Sequence, residues 1–241
     1  GSPAGIGGAI CLENPTFSPI DISIENSVFG KNRARREGAV YMSFWDANII
    51  NCLFYENHTS IDGGAISISN SAPTKLNAYN CTFYKNTTIN RGGAFFSRVN
   101  FNPRLFFNQL EFYNCIFSQN SSEYGGNTGD VVGSSVLFHH NLTDVENCDS
   151  LVLSSSDELK EVICENVLFT ENSIFYDLAN EDFRLSPCSP AINAGDNEFV
   201  QNTEVDIAGN ARIVDSQVDM GAYETPALAI AVDSVEMACI G

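Results

Sequence analysis

The densest group of side chains able to do chemistry lies between residues 196 and 224: Asp196, Asp206, Arg212, Asp215, Asp219 and Glu224. Hard carboxylate oxygens suit Ca2+, so Asp196, Asp206, Asp215 and Asp219 are candidate calcium ligands. Arg212 in their midst argues for the other reading, a guanidinium enclosed by carboxylates that ties irregular loops together through bidentate hydrogen bonds. No EF-hand and no Gly-Gly-x-Gly-x-Asp spacing is present, which favours the pairing over the cation. Arg98 and the pair His139-His140 are the candidates for a catalytic base. Adjacent residues on a strand point to opposite faces, so at most one of the two histidines is expected to face a given site. The run Lys31-Asn32-Arg33-Ala34-Arg35-Arg36 is conspicuous in an acidic chain. Arg33, Arg35 and Arg36 would grip a sulfated or uronic polysaccharide, or else form a solvated turn.

These residues need a scaffold, and the composition supplies one. The chain has 241 residues, 17 Phe and a low charged fraction, enough for a substantial core. Twelve basic against 30 acidic residues give a net charge of −18, which opposes nucleic acid and anionic membranes as partners. No apolar run is long enough to span a bilayer. The start Gly1-Ser2 reads as a cloning scar.

One motif recurs: Phe-x-x-Asn, a polar turn, then Gly-Gly-Ala and a short apolar strand. Its clearest copy is Phe54-Tyr55-Glu56-Asn57 followed by Gly63-Gly64-Ala65-Ile66. The motif Phe falls at 29, 54, 83, 117 and 169, at intervals of 25, 29, 34 and 52. A period of 20 to 30 residues with short strands and Gly or Asn at the bends predicts an all-β solenoid of about five or six coils, each with three strands. Phe29, Phe54, Phe83 and Phe117 then stack inward as an aromatic ladder. Asn51, Asn80 and Asn114, three residues before the Phe, and Asn57, Asn86 and Asn120, three after it, read as two turn ladders. Cys52, Cys81 and Cys115 occupy one equivalent position and form a buried thiol ladder about 4.8 Å in spacing. Cys148 and Cys164 flank one insertion and are the best disulfide candidates among the eight cysteines. No Cys-x-x-Cys or paired Cys/His spacing calls for zinc.

Alternation after Gly-Gly-Ala places Val40, Met42 and Phe44 inward. It sends Tyr41, Trp45, Phe96 and Arg98 outward as a lateral contact patch. Residues 71–77 and 100–111 read as turn extensions, and 127–165 as a long irregular excursion with a helical turn at Ser156-Lys160. From about Tyr176 the pattern changes to a segment expected to lid the last coil.

The Phe-x-x-Asn and Gly-Gly-Ala-Ile motifs across residues 7 to 172 resemble those of polymorphic outer-membrane proteins and other right-handed parallel β-helices of the pectin-lyase-like superfamily. Residues 182 to 224, with Ser189-Pro190-Ala191-Ile192-Asn193-Ala194-Gly195-Asp196 and Val218-Asp219-Met220-Gly221-Ala222-Tyr223-Glu224, are similar to the closing segment of choice-of-anchor bacterial surface proteins. The tail Ala229-Ile230-Ala231-Val232 is weakly similar to repeats in surface adhesins of gliding Bacteroidetes. The resemblance implies coils over 1–175, a C-terminal cap over 176–225, and a linker into a following module over 226–241. It also implies a monomeric excerpt from a secreted, multidomain bacterial surface protein, with a glycan or a surface protein as partner. No cofactor is implied beyond the candidate calcium. The expected function is a noncatalytic adhesin or spacer; the alternative is a polysaccharide lyase or hydrolase using Arg98 or His140.

Overall fold

A computed structural model describes residues 8–14, 20–70, 73–99, 107–154, 161–170, 174–201 and 203–226. The expected helical turn near residues 156–160 and the tail beyond Pro226 lie outside the described residues. The chain is a parallel β-helix. Three sheets of six parallel strands run its length, and each strand pairs with its equivalent one coil away. The first sheet comprises Ile10–Glu13, Val40–Ser43, Ile66–Asn70, Phe95–Val99, Gly129–Val132 and Val152–Ser154. The second comprises Ile20–Glu25, Trp45–Ile50, Lys75–Tyr79, Asn108–Tyr113, Ser134–His139 and Glu161–Glu165. The third comprises Val28–Gly30, Leu53–Tyr55, Thr82–Tyr84, Ile116–Ser118, Leu142–Thr143 and Leu168–Phe169. Four two-residue strands, such as His58–Thr59, form a fourth sheet, one more per coil than the repeat suggests.

The aromatic ladder runs through the interior. Phe29, Phe54, Phe83 and Phe117 stack at 4.7, 5.0 and 4.8 Å with nearly parallel rings. Each such contact adds about 0.5–1.5 kcal/mol to burial. The Cys52, Cys81 and Cys115 thiols are buried beside them and donate to backbone carbonyls such as Ile50 O and Tyr79 O. The neighbouring Cys81 thiol and then burial push the Cys52 thiol up, and burial does the same to Cys81, so both stay protonated.

The two asparagine rows divide their work. Asn26, Asn51, Asn80 and Asn114 take left-handed backbone, with φ of 47° to 53°, as Asn tolerates best. At the next corner the left-handed residues are Lys31, Glu56, Lys85 and Gln119, not the Asn that follows each. Those following Asn side chains turn inward and stack: Asn57 Nδ2 donates to Asn86 Oδ1 at 2.8 Å, and Asn86 Nδ2 to Asn120 Oδ1 at 3.0 Å. Of the Gly-Gly pair, Gly63 supplies a φ of +61°. Gly64 has no room for a side chain, since a Cβ there would lie 2.1 Å from Gly93 O.

The stretch 127–165, expected as an irregular excursion, contains a regular coil. Thr143 stands in register between Phe117 and Phe169, and His140 takes the left-handed corner 26 residues after Asn114 and 26 before Asn166. The 52-residue interval is therefore two coils whose shared rung has Thr143 in place of Phe. Phe169 is half exposed and leaves the ladder. Likewise, residues 75–77 and 108–111, expected in turn extensions, belong to strands of the second sheet. Cys148 and Cys164 are bonded, tying the turn at Cys148–Ser150 to the second sheet, and Cys188 is also disulfide-bonded.

The C-terminal segment is not a lid on the last coil. It folds back along the outer face of the third sheet, where Leu53, Tyr84, Ile116 and Leu142 pack with Phe175, Phe183, Ala191 and Met220 into a second apolar core. The outward Asn row meets this returning segment: Asn51 donates to Val205 O at 2.9 Å, and Asn114 to Asp196 O at 2.9 Å. Asn114 also accepts from Asp196 N at 2.7 Å.

The turns before Gly-Gly fold over the outer face of the first sheet. The Arg91 guanidinium lies 4.5 Å above the Phe96 ring and binds Asp62 at 3.0 Å. Below them Asp130 is buried, with Oδ1 lacking a hydrogen-bond partner. Burial pushes its carboxyl up to about 6, against the pull of Arg91.

Two predictions come from this packing. Asn86→Ala removes a donor and an acceptor from the buried row, and is expected to cost about 3 kcal/mol in chemical denaturation. Asn77→Ala, which breaks only the half-buried Asn77–Asn48 contact, is expected to cost under about 1 kcal/mol. For Asp130 the folded carboxyl holds its proton more tightly than the unfolded one. Its contribution to stability is thus complete below about pH 4 and lost as pH rises through about 6. Asp130→Asn should match wild type near pH 4 and exceed it by about 1 kcal/mol at pH 7, after allowance for solvent screening. An unchanged pH profile of urea midpoints between pH 4 and 7 would contradict this.

Candidate functional site

The expected patch of outward aromatics is not assembled. Phe96 points outward but is 2% exposed beneath Arg91. Trp45 faces the other way. Phe44 turns the corner with a φ of 63°, which resets the alternation, so Trp45 shares the inward parity of Ala47 and Ile49 and packs against the main core. Tyr41 is half-buried in a register column with Cys11 and Ser67, and burial raises its hydroxyl. Arg98 is exposed, flanked in register by Ser69 and Val132, so neither neighbour is a carboxylate. Arg33, Arg35 and Arg36 are exposed at one corner of an early coil.

The acidic group near the C-terminus also separates. Asp206 accepts backbone N–H groups from Ala208, Asn210 and Glu224. Asp219 accepts from Asn193 and Thr225. Asp215 is exposed, and Asp196 sits by the histidines, so the four expected calcium ligands do not converge. Arg212 is enclosed, at 1% exposure, but a single nitrogen makes its contacts: Nη2 donates to Asp219 O and pairs with Glu224 Oε2, each at 3.0 Å. Nε and Nη1 have no partner, so the bidentate fork expected of Arg212 is not made. Loss of water raises the Glu224 carboxyl to about 7 and lowers the Arg212 guanidinium. A cleft of about 390 Å³ opens here, lined in part by Arg184, Asp215, Asp219 and Glu224.

A tighter cluster lies where the fifth and sixth strands of the second sheet meet the returning segment. His139 Nε2 is 3.2 Å from Asp196 Oδ2, and its Nδ1 is 2.9 Å from Glu165 Oε2. His140 Nδ1 is 3.8 Å from the same Asp196 oxygen. Both rings reach one site, contrary to the strand-alternation expectation, because His140 is not in the strand but at the left-handed corner, with a φ of 49°. Burial and then His139 lower the His140 imidazole, keeping it neutral. Burial raises Asp196, but the Glu198 N–H and the two histidines outweigh it and hold the carboxyl below its usual range. His139, His140 and Asp196 offer ligand atoms within 4.8 Å of one another, a grouping that the sequence conceals because Asp196 is 56 residues from His140.

A shallower cleft of about 300 Å³ opens on the second sheet, lined by Asp46, Pro73, Thr74, Lys75, Phe107 and Gln109. Phe107 is 38% exposed and Lys75 exposed. Asp46 Oδ1 accepts from Lys75 N at 2.7 Å. None of these residues stands out in the sequence, because the cleft joins residues from three successive coils.

Residues 51–69 match the Chlamydia polymorphic membrane protein repeat. No curated protein matches the chain. The matched residues run from the corner Asn51 through the third- and fourth-sheet strands and Gly63-Gly64 into the first-sheet strand, so they hold every part of a coil except its second-sheet strand, and the solenoid repeats that pattern along its axis. No helix among the described residues is long and apolar enough to cross a membrane. The chain is a parallel β-helix repeat protein whose coils are similar to the polymorphic membrane protein repeat.

Proposed function

We propose that the chain is a noncatalytic module of a secreted bacterial surface protein, acting as an adhesin or spacer that presents one lateral face to a glycan or a partner protein. The observation that carries this reading is how the three outer faces are used. The returning segment occupies the third sheet, and the turn carrying Arg91 covers Phe96 and Asp130 on the first, leaving Arg98 at its far end exposed. The second sheet keeps an open row that includes Asn48, Asn77, Glu111, Leu137 and Ile163. The cleft at one edge of that row has the composition of a saccharide subsite. Phe107 offers an apolar platform for a sugar ring, and Lys75, Gln109 and Asp46 offer hydrogen bonds to hydroxyls. The net charge of −18 favours neutral glycans over uronates.

A glycan array, run with a lyase assay that follows unsaturated uronate absorbance on alginate and pectin, tests the reading. Binding to neutral glycans without turnover is expected, and Phe107→Ala should weaken it about tenfold or more. Turnover lost in Arg98→Ala or His140→Asn would overturn the noncatalytic role. Silence in both assays would remove the glycan and leave the spacer.

A further inference from the structure

We propose that His139, His140 and Asp196 bind a divalent transition-metal ion of the zinc class, which fastens the returning segment to the coil stack. Three independent features of the geometry carry this. A tetrahedral ion about 2.0–2.1 Å from each ligand needs donor atoms roughly 3.3 Å apart. Asp196 Oδ2 lies 3.2 Å from His139 Nε2 and 3.8 Å from His140 Nδ1, and all three ligand atoms fall within 4.8 Å of one another, so small side-chain rotations bring them to that spacing.

The second feature is the outer support. His139 Nδ1 is held at 2.9 Å by Glu165 Oε2, the carboxylate–histidine arrangement that fixes ring orientation and leaves Nε2 to face a metal. Asp196 is held in the same way, because Oδ1 accepts the Glu198 N–H at 2.9 Å and Oδ2 faces the histidines. The third feature is an atom without a partner: His140 Nδ1 is buried and makes no hydrogen bond. A buried ring nitrogen left this way costs on the order of 1–3 kcal/mol unless something engages it.

Two imidazoles and one carboxylate form a borderline set that suits zinc over calcium, whose sites are built from oxygens. Side-chain exposures of 15%, 22% and 25% leave the fourth position open to water or to an external ligand.

The test uses the whole chain, stripped with chelator and titrated with Zn2+ in a calorimeter, then with Co2+ followed by its visible d–d absorption. One Zn2+ per chain, a tetrahedral cobalt spectrum and a rise in melting temperature are expected. His140→Asn restores the residue found at this corner in the neighbouring coils, so it should fold as wild type and lose the tight site. Glu165→Gln should weaken binding about 10- to 100-fold while keeping the stoichiometry. His58→Ala, at the remaining histidine of the chain, should leave Zn2+ affinity and the cobalt spectrum unchanged. Equal Zn2+ affinity in wild type and His140→Asn would overturn the proposal, as would an absence of the cobalt spectrum in wild type or a melting shift produced by Ca2+ alone.

Discussion

The row of buried asparagine amides along one inner corner is the constraint on which the rest of the molecule depends. Coils of a parallel β-helix stack at about 4.8 Å, so any buried polar group must find its partner directly above or below. Asn57 and Asn86 meet this twice over, bonding the next amide along and a backbone carbonyl of the coil before. A slip of one residue would turn Phe outward and leave several buried amides unsatisfied together. Register is therefore enforced by polar and apolar ladders at once, and the coil tolerates left-handed Lys31, Glu56, Lys85 and Gln119 beside the Asn row because the stack over-determines that corner.

The outer asparagines solve the same problem differently. They face away from the core, and their amides are offered to whatever covers the third sheet. The returning segment accepts them through Val205, Asp219 and Asp196 backbone oxygens while burying a second apolar core. The loops of that segment are irregular, so their own backbone N–H groups need acceptors, and buried Asp206 and Asp219 supply these. The acidic residues there are spent largely on holding loop backbone. A carboxylate already accepting two or three N–H bonds has little left to offer a cation.

Much of the fold was legible in the sequence because a solenoid writes its register into it. Phe at one position and Asn at two others specify which residues stack. What the repeat could not show has two physical causes. Alternation holds only within a strand, and a left-handed corner resets it, which is how Trp45 came to face inward and His140 to join His139. Contacts that jump out of the repeat leave no periodic trace either. Nothing in Asn51 or Val205 announces that they meet, so the clamp along the third sheet and the cleft at Asp46, Lys75 and Phe107 were invisible. The hidden coil is an intermediate case. The 52-residue gap is twice 26, but the two residues that would have marked the middle rung are Thr143 and His140.

That double departure from the repeat is also where chemistry concentrates. A position that elsewhere carries Asn carries His here, and the returning segment meets it with a carboxylate where at Asn51 it offers a carbonyl oxygen. An Asn at this corner could share the clamp's backbone hydrogen bonds as Asn114 does, leaving no nitrogen unpaired. Histidine tolerates the left-handed conformation nearly as well, so the backbone does not resist the change. The exchange gives up a satisfied amide for an unpartnered imidazole nitrogen aimed at an aspartate, a local loss in a fold that is otherwise consistent from rung to rung. Departures of that kind mark functional positions more often than structural ones. The repeat is thus informative twice, once through the residues that obey it and again through the one corner that does not.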